Sequence, residues 1–253
     1  MLRDFTKEKF DIIIQAGQSN SEGYGFGPVD KPYEPNSRIW YLNGDYTISM
    51  AAEKVTLNDI QSNFSLSFAK EYVENALLTE DRNLLIVRSA VGGTGFLDNR
   101  WRPKDDLFLR MLDMTDTAVA LNPDNRIIAL LWHQGETDAS LHSSYETYYN
   151  NLMTLYRTTA ERYGITDLPF IAGDFVHHWK NENAEICDPV ISASIAVCKD
   201  CGGRFVSTDN LKSNNQELDY HPLGWEDHIH FSRKSIYELG KRYFEAYRQI
   251  TGR

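Results

Sequence analysis

The segment Asp11-Ile12-Ile13-Ile14-Gln15-Ala16-Gly17-Gln18-Ser19-Asn20 constrains this chain more than any other. A short, β-branched apolar run without polar alternation reads as a strand buried on both faces, as in a parallel sheet. The run stops at Gly17, and Ser19 stands just beyond it. In an open α/β sheet, ligands bind in the crevice outside the carboxyl ends of the strands. Ser19 is therefore a hydroxyl that a substrate can meet, carried by a strand that stays rigid.

Four further apolar runs repeat the pattern: Leu84–Arg88, Ile127–Trp132, Pro169–Ala172 and Arg204–Ser207. Arg38–Leu42 is a sixth candidate, expected at an edge. Helical spacing of apolar residues predicts helices over Ser65–Leu78, Leu107–Leu121, Tyr145–Tyr163, Pro189–Val197 and Ser232–Tyr247, the last with Ser232 as N-cap. Alternation of strand and helix predicts a doubly wound three-layer α/β/α sandwich with a mostly parallel, five-stranded sheet and right-handed crossovers. No linker, repeat or low-complexity stretch interrupts residues 1–253, so a single domain is expected. Four long polar stretches, Ser21–Ser37, Gly92–Asp106, Asp174–Asp188 and Thr208–Asp227, follow strands and are expected on the same rim as Ser19. Loops that long in a compact domain usually carry function.

The net charge of −10 argues against nucleic acid as a partner, since no basic stripe exists to release its counterions. No apolar run approaches the length of a membrane span, so no membrane partner is expected. Residues 1–9 lack the apolar core of a secretory signal, and the cysteines, Cys187, Cys198 and Cys201, are odd in number. Both point to the cytoplasm, although a chain trimmed of a signal would read the same. Cys198-x-x-Cys201 has no second pair with which to hold zinc and is read as packing.

A serine hydroxyl needs a base to act as a nucleophile at neutral pH. Asp227 stands three residues ahead of His230, a spacing that folds in one turn and lets the carboxylate take the Nδ1 proton of the ring. The same four residues could equally hold Asp227 as a cap for the final helix, with His230 packed at its start. Ala90-Val91-Gly92-Gly93-Thr94-Gly95 follows the second strand, and its glycines free backbone N–H groups to face a developing anion. It lacks the Lys-Ser/Thr ending of a phosphate loop, and Gly23, Gly25 and Gly27 are followed by Pro28 rather than a helix. At the third strand end, Gln134 offers an amide donor. Glu136 and Asp138 beside it admit a glycosidase with an acid/base pair, or simply support the Gln134 loop. His177, His178 and His221 have no partner spacing for a metal and are read as solvated.

Together, Gly17-Gln18-Ser19-Asn20, Gly92-Gly93-Thr94, His133-Gln134-Gly135-Glu136-Thr137-Asp138 and Asp227-His228-Ile229-His230-Phe231 resemble the four signature blocks of the sialate O-acetylesterase-like branch of the SGNH hydrolases. That branch includes the acetylxylan esterases of carbohydrate esterase family six. The blocks run in the family's order from about residue 11 to 245. The resemblance implies a flavodoxin-like SGNH fold and a serine esterase that removes O-acetyl groups from carbohydrates through an acyl-enzyme. It makes Ser19 the nucleophile, His230 the base and Asp227 its orienting acid. The oxyanion donors it implies are the Ser19 N–H, a Gly93 (or Gly92) N–H and the Gln134 side chain. No metal or organic cofactor is implied. Gln18, Thr94, Trp101 and Trp225 are the substrate-binding candidates, drawn from the blocks and from the rim aromatics Trp40, Trp101, Trp179, Trp225, Tyr24, Phe26 and Tyr220. Ser21 departs from the methionine that many members carry, and the loop through Asn99-Arg100-Trp101 is longer than in compact members. The competing expectations are a lipase or thioesterase, a glycosidase on Glu136 and Asp138, and a silent sugar-binding module on the same scaffold.

Overall fold

The isoleucine run is the middle of the sheet. In the computed structural model, residues 3–28, 32–56 and 58–253 are described. In chain order the strands are β1 (Lys9–Gly17), β2 (Gly25–Gly27), β3 (Ile39–Leu42), β4 (Ile48–Met50), β5 (Lys54–Val55), β6 (Ile60–Ser62), β7 (Arg82–Arg88), β8 (Arg126–His133), β9 (Phe170–Gly173) and β10 (Arg204–Val206). The helices are α1 (Ser19–Glu22), α2 (Phe64–Glu74), α3 (Asp106–Ala120), α4 (Glu136–Ser140), α5 (Tyr145–Tyr163), α6 (His177–Glu182), α7 (Ala184–Asp200), α8 (Asn214–Glu217) and α9 (Arg233–Thr251).

Among the described residues the main sheet has seven strands, ordered β10-β9-β8-β1-β7-β3-β4, of which only β4 is antiparallel to its neighbour. This exceeds the five strands expected. Arg38–Leu42 gives β3, which lies one place in from the edge because the hairpin at 43–47 adds β4 outside it. A second, three-stranded antiparallel sheet, β2-β6-β5, was not expected, since its strands are two or three residues long and β5 is exposed. With β3 and β4 set aside, the parallel order is the flavodoxin-like 2-1-3-4-5. β7 and β8 flank β1 on opposite sides, so the strand order reverses at β1, and Ser19 sits at that switch point.

Successive β1 side chains enter different layers, as a strand's period of two requires. Ile13 packs with Phe64, Phe68, Leu239 and Tyr243 of α2 and α9. Ile14 packs on the opposite face with Phe108 of α3, Leu152 of α5 and Val190 of α7. Among the described residues no helix is long and apolar enough to cross a membrane. Helix α9 begins as expected, with Ser232 Oγ accepting the Ser235 N–H, so Asp227 is not its cap. Helix α7 begins five residues before Pro189. The carbonyl that loses its donor there belongs to Glu185, an exposed residue whose carbonyl can turn to water. Cys187 and Cys198 are buried in the α5–α7 layer, and all three cysteines are free thiols.

The end of β1 remote from Ser19 holds a buried charge. Asp11 is fully buried and accepts hydrogen bonds from Arg82 Nε (2.6 Å), Arg126 Nε (2.7 Å) and Tyr72 Oη (2.7 Å). Burial alone pushes its carboxyl up, but the bonds from Arg126, Tyr72 and Arg82 outweigh that and hold it below the usual carboxylate range. Removing one partner of a buried pair leaves an uncompensated charge, at about 3–5 kcal/mol. Asp11→Ala is expected to lose that much stability in urea unfolding while kcat of the folded fraction is unchanged. A carboxylate with a depressed folded pKa stabilises above its unfolded pKa and stops doing so as pH falls through the folded one. The gap between wild type and Asp11→Ala therefore closes on acidification below about pH 4. A gap independent of pH would contradict an ionised Asp11.

Candidate active site

Three adjacent strand ends and one long loop converge on Ser19. Gly17 has φ +124°, and a Cβ there would lie 2.1 Å from the His133 carbonyl oxygen, so only glycine lets β1 leave the sheet against β8. Gln18 N–H donates to that carbonyl at 3.0 Å, and α1 begins at Ser19. From β8, the chain enters Gln134 and α4; from β7, it enters the turn at Gly92 and Gly93. The fourth contributor is the stretch ahead of α9, which brings His230 under the start of α1.

His230 Nε2 lies 2.8 Å from Ser19 Oγ, and both residues are almost wholly buried. His230 Nδ1 lies 3.0 Å from Asp227 Oδ2 and 2.9 Å from Oδ1. Since the carboxylate only accepts, Nδ1 carries the proton and Nε2 accepts from the serine hydroxyl. The His230 N–H donates to Asp227 Oδ1 at 3.1 Å, the one-turn closure that the spacing of three predicts. Asn214 Nδ2, at the start of α8, donates to Asp227 Oδ2 at 2.8 Å and fixes the carboxylate from behind. Tyr24 stacks on the imidazole at 4.9 Å and 26°, and Trp225 stands 6.2 Å away.

The turn after β7 distinguishes its two glycines. Gly92 N–H donates to Glu22 Oε2 at 2.7 Å and is therefore engaged. Gly93, at φ +67°, and Ser19 have backbone N–H groups that donate to no acceptor among the described residues. A Cβ on Gly92 would lie 3.4 Å from Ser19 Cβ, so the turn runs directly against the serine. Gln134 Nε2 is within reach of three oxygens: Asp138 Oδ2 at 2.7 Å, Thr94 O at 3.1 Å and Gln18 Oε1 at 3.2 Å. Its Oε1 accepts from Tyr148 Oη at 2.9 Å, which sets the orientation of the amide.

Two of the expected substrate contacts lie elsewhere. Trp101 is fully buried, edge-on to Trp132, and its Nε1 donates to Thr94 Oγ1 at 2.9 Å. Thr94 is buried too and its hydroxyl donates to Val91 O. These two residues hold the glycine turn from behind and do not face a substrate, because the loop of 96–105 folds back into the α3–α5 layer. Trp40 is also a core residue and Trp179 is half-buried. Trp225, 48% exposed, is the rim tryptophan that faces solvent. Gln18 accepts the Thr137 N–H at 3.2 Å through Oε1, while its Nε2 makes no hydrogen bond among the described residues.

Glu136 and Asp138 are both buried. Asp138 accepts the Phe96 and Leu97 N–H groups, each at 2.9 Å, besides Gln134. Glu136 Oε1 accepts from Asn20 Nδ2 at 2.8 Å, and its other oxygen has no partner among the described residues. Burial pushes both carboxyls up. Neither can reach a glycosidic bond, so they are braces rather than a glycosidase pair. His133 is equally internal: burial takes it down to about 3, and its Nδ1 meets Tyr243 Oη at 2.9 Å. The His178 ring lies 5.0 Å from that of His228, tilted at 41°, and among the described residues no group of three or more His, Cys, Asp or Glu could hold a metal ion. Asn214 was not legible in the sequence; the Ser213–Gln216 capping box marks a helix start but not how far its side chain reaches.

The mostly parallel sheet with a hydroxyl at its switch point is a fold shared with solved hydrolases, and the family match makes the protein a carboxylic ester hydrolase. Residues 9–249 match the carbohydrate esterase, sialic acid-specific acetylesterase family, and the chain belongs to that family. It is 31% identical over 221 residues to a probable 9-O-acetyl-N-acetylneuraminic acid deacetylase of Escherichia coli strain K12, covering 67% of this chain and 68% of that protein. It is 29% identical over 226 residues to a probable carbohydrate esterase of Arabidopsis thaliana, covering 79% and 82% of the two. The crystal structure of NanS shares the fold, with a TM-score of 0.82, 18% identity, and 97% and 98% of the two chains covered.

Proposed function

We propose that the protein removes O-acetyl groups from carbohydrates by a Ser19-His230-Asp227 triad through an acetyl-enzyme. The observation that carries this reading is the 2.8 Å contact between Ser19 Oγ and His230 Nε2, with Asp227 on the ring's other nitrogen. Ser19 Oγ attacks the acetyl carbonyl carbon and gives its proton to His230 Nε2, while Asp227 stabilises the imidazolium. The carbonyl oxygen becomes an oxyanion facing the unengaged Ser19 and Gly93 N–H groups. Gln134 is the third donor. One amide hydrogen is held by Asp138, and the other leaves Thr94 O or Gln18 Oε1 for the oxyanion. Collapse breaks the bond to the sugar oxygen, which takes the proton from Nε2. A water then attacks the acetyl-serine, Nε2 takes its proton and returns it to Ser19 Oγ, and acetate departs.

The family and the names of the two relatives support an O-acetylated sugar as substrate. Trp225, exposed beside His230, offers an apolar face to the sugar ring, and Gln18 Nε2 offers a free donor. Trp225→Ala is expected to raise KM for an acetylated sugar about five- to tenfold, the worth of about 1–1.4 kcal/mol of aromatic contact. It should leave ethyl acetate, which has no ring to cover, unchanged. An equal loss for both esters would remove Trp225 from the sugar site. The class of ester is tested by acetate release from acetylated xylan, O-acetyl sialic acid and acetylated monosaccharides, beside octanoyl esters. The reading expects acetyl sugars to be preferred; faster octanoyl hydrolysis would turn it to a lipase or thioesterase.

A further inference from the structure

Residue 20 follows the nucleophile, and its side chain is committed to three bonds far away in sequence. Asn20 is fully buried. Its Nδ2 donates to the Ile229 carbonyl at 3.0 Å and to Glu136 Oε1 at 2.8 Å, and its Oδ1 accepts the Phe231 N–H at 3.1 Å. Ile229 and Phe231 are the two neighbours of His230. One carboxamide thus grips the backbone on both sides of the base, while the hydroxyl of the adjacent residue meets the base's ring.

The stretch that carries His230 needs such a grip. Between α8 and α9 it has no helix and, among the described residues, a single bridge, Ser213–Phe231. That bridge is made by Asn214 N–H to His230 O and Ser232 N–H to Lys212 O, and together with Asn215 N–H to Asp227 O it leads to α8 and the residues just before it rather than to the main sheet. Among the described residues, the hydrogen bonds between α1 and residues 227–231 are those of Ser19 and Asn20 alone. The Ser19–His230 bond is the one that must break and re-form in turnover, so it cannot also hold the two segments in register. The Glu136 contact fixes which way the amide faces: reversed, it would set the Asn20 oxygen against a carboxyl oxygen and a carbonyl, and its NH2 against the Phe231 N–H.

We propose that Asn20 is a positioning residue that sets the separation of Ser19 and His230 by clamping the peptide groups flanking the base. The inference rests on the triad proposed above. A misplacement near 1 Å in a reacting pair costs about a hundredfold in rate. Asn20→Ala is therefore expected to lower kcat per active site about a hundredfold, with KM unchanged and with the rate of Ser19 labelling by an organophosphonate reduced in step. Active sites are counted by the final stoichiometry of that label, and melting temperature is followed alongside. A merely structural residue would lower the melting temperature and the titratable fraction but leave kcat per site at the wild-type value, and that result overturns the proposal. Should Asn20→Ala not fold, Asn20→Asp is read in the same way. It keeps the acceptor for Phe231 N–H and turns the donor toward Ile229 and Glu136 into an oxygen. Ser19→Ala run in parallel separates the two failures. Activity surviving there removes the triad and this inference with it, whereas an inactive Ser19→Ala beside a wild-type kcat in the Asn20 variants removes this inference alone.

Discussion

Ser19→Ala is expected to lower kcat for acetyl ester hydrolysis by about 10⁴-fold or more while leaving the fold intact. Among the described residues the hydroxyl makes one hydrogen bond, to His230 Nε2, and its loss opens a space of a single oxygen beside the glycine turn. Nothing in the core depends on it. What remains is the rate that the oxyanion donors and substrate binding give without a nucleophile, typically 10³–10⁴-fold above water. The check is acetate release by both proteins from one acetylated sugar, with melting curves showing equal stability.

Asp227→Asn is expected to cost about as much, on the order of 10⁴ in kcat, because the geometry leaves no harmless place for an amide. The Asp227 oxygens receive three N–H groups: His230 Nδ1, the His230 backbone and Asn214 Nδ2. An asparagine has one acceptor oxygen, so its NH2 must face at least one of these donors. Facing Nδ1, it favours the tautomer with the proton on Nε2, which cannot take a proton from Ser19. Facing the backbone or Asn214, it leaves a buried N–H unpaired at about 1–3 kcal/mol. Steady-state kinetics decide it: kcat falls and KM holds. A loss under tenfold would move the orienting role to another carboxylate.

The strand runs were legible in the sequence because parallel strands buried on both faces need no polar alternation, as Ile12–Ile14 and Leu84–Val87 demonstrate. The true start of β1 was not. Asp11 looks like a reason to begin the strand later, and its partners Arg82 and Arg126 lie 71 and 115 residues away. Edge elements escaped for the opposite reason: Lys54–Val55 and Ile48–Met50 are short and largely exposed, so hydrophobicity does not mark them. Of the site, the Asp227–His230 pair was legible because the turn is local. The glycine turn was legible only as a place; Glu22 engaging the Gly92 N–H, which leaves Gly93 free, is a tertiary fact. Trp101 misled because an aromatic in a polar loop reads as a sugar platform, whereas this loop folds inward and hydrogen-bonds Trp101 to Thr94. Asn20 stood inside a signature block, yet its reach to residues 229 and 231 depends on a fold that joins the two ends of the chain.

Ser19 Oγ is the atom proposed to be acylated in turnover. The most direct measurement is the mass of the protein and of its proteolytic peptides after inactivation by an organophosphonate that resembles the tetrahedral intermediate. The account predicts one adduct per chain, on the peptide containing Ser19, formed in proportion to lost acetate release and absent from Ser19→Ala. An adduct on another residue at full inactivation, or acetate release that persists in chains fully labelled at Ser19, would contradict it.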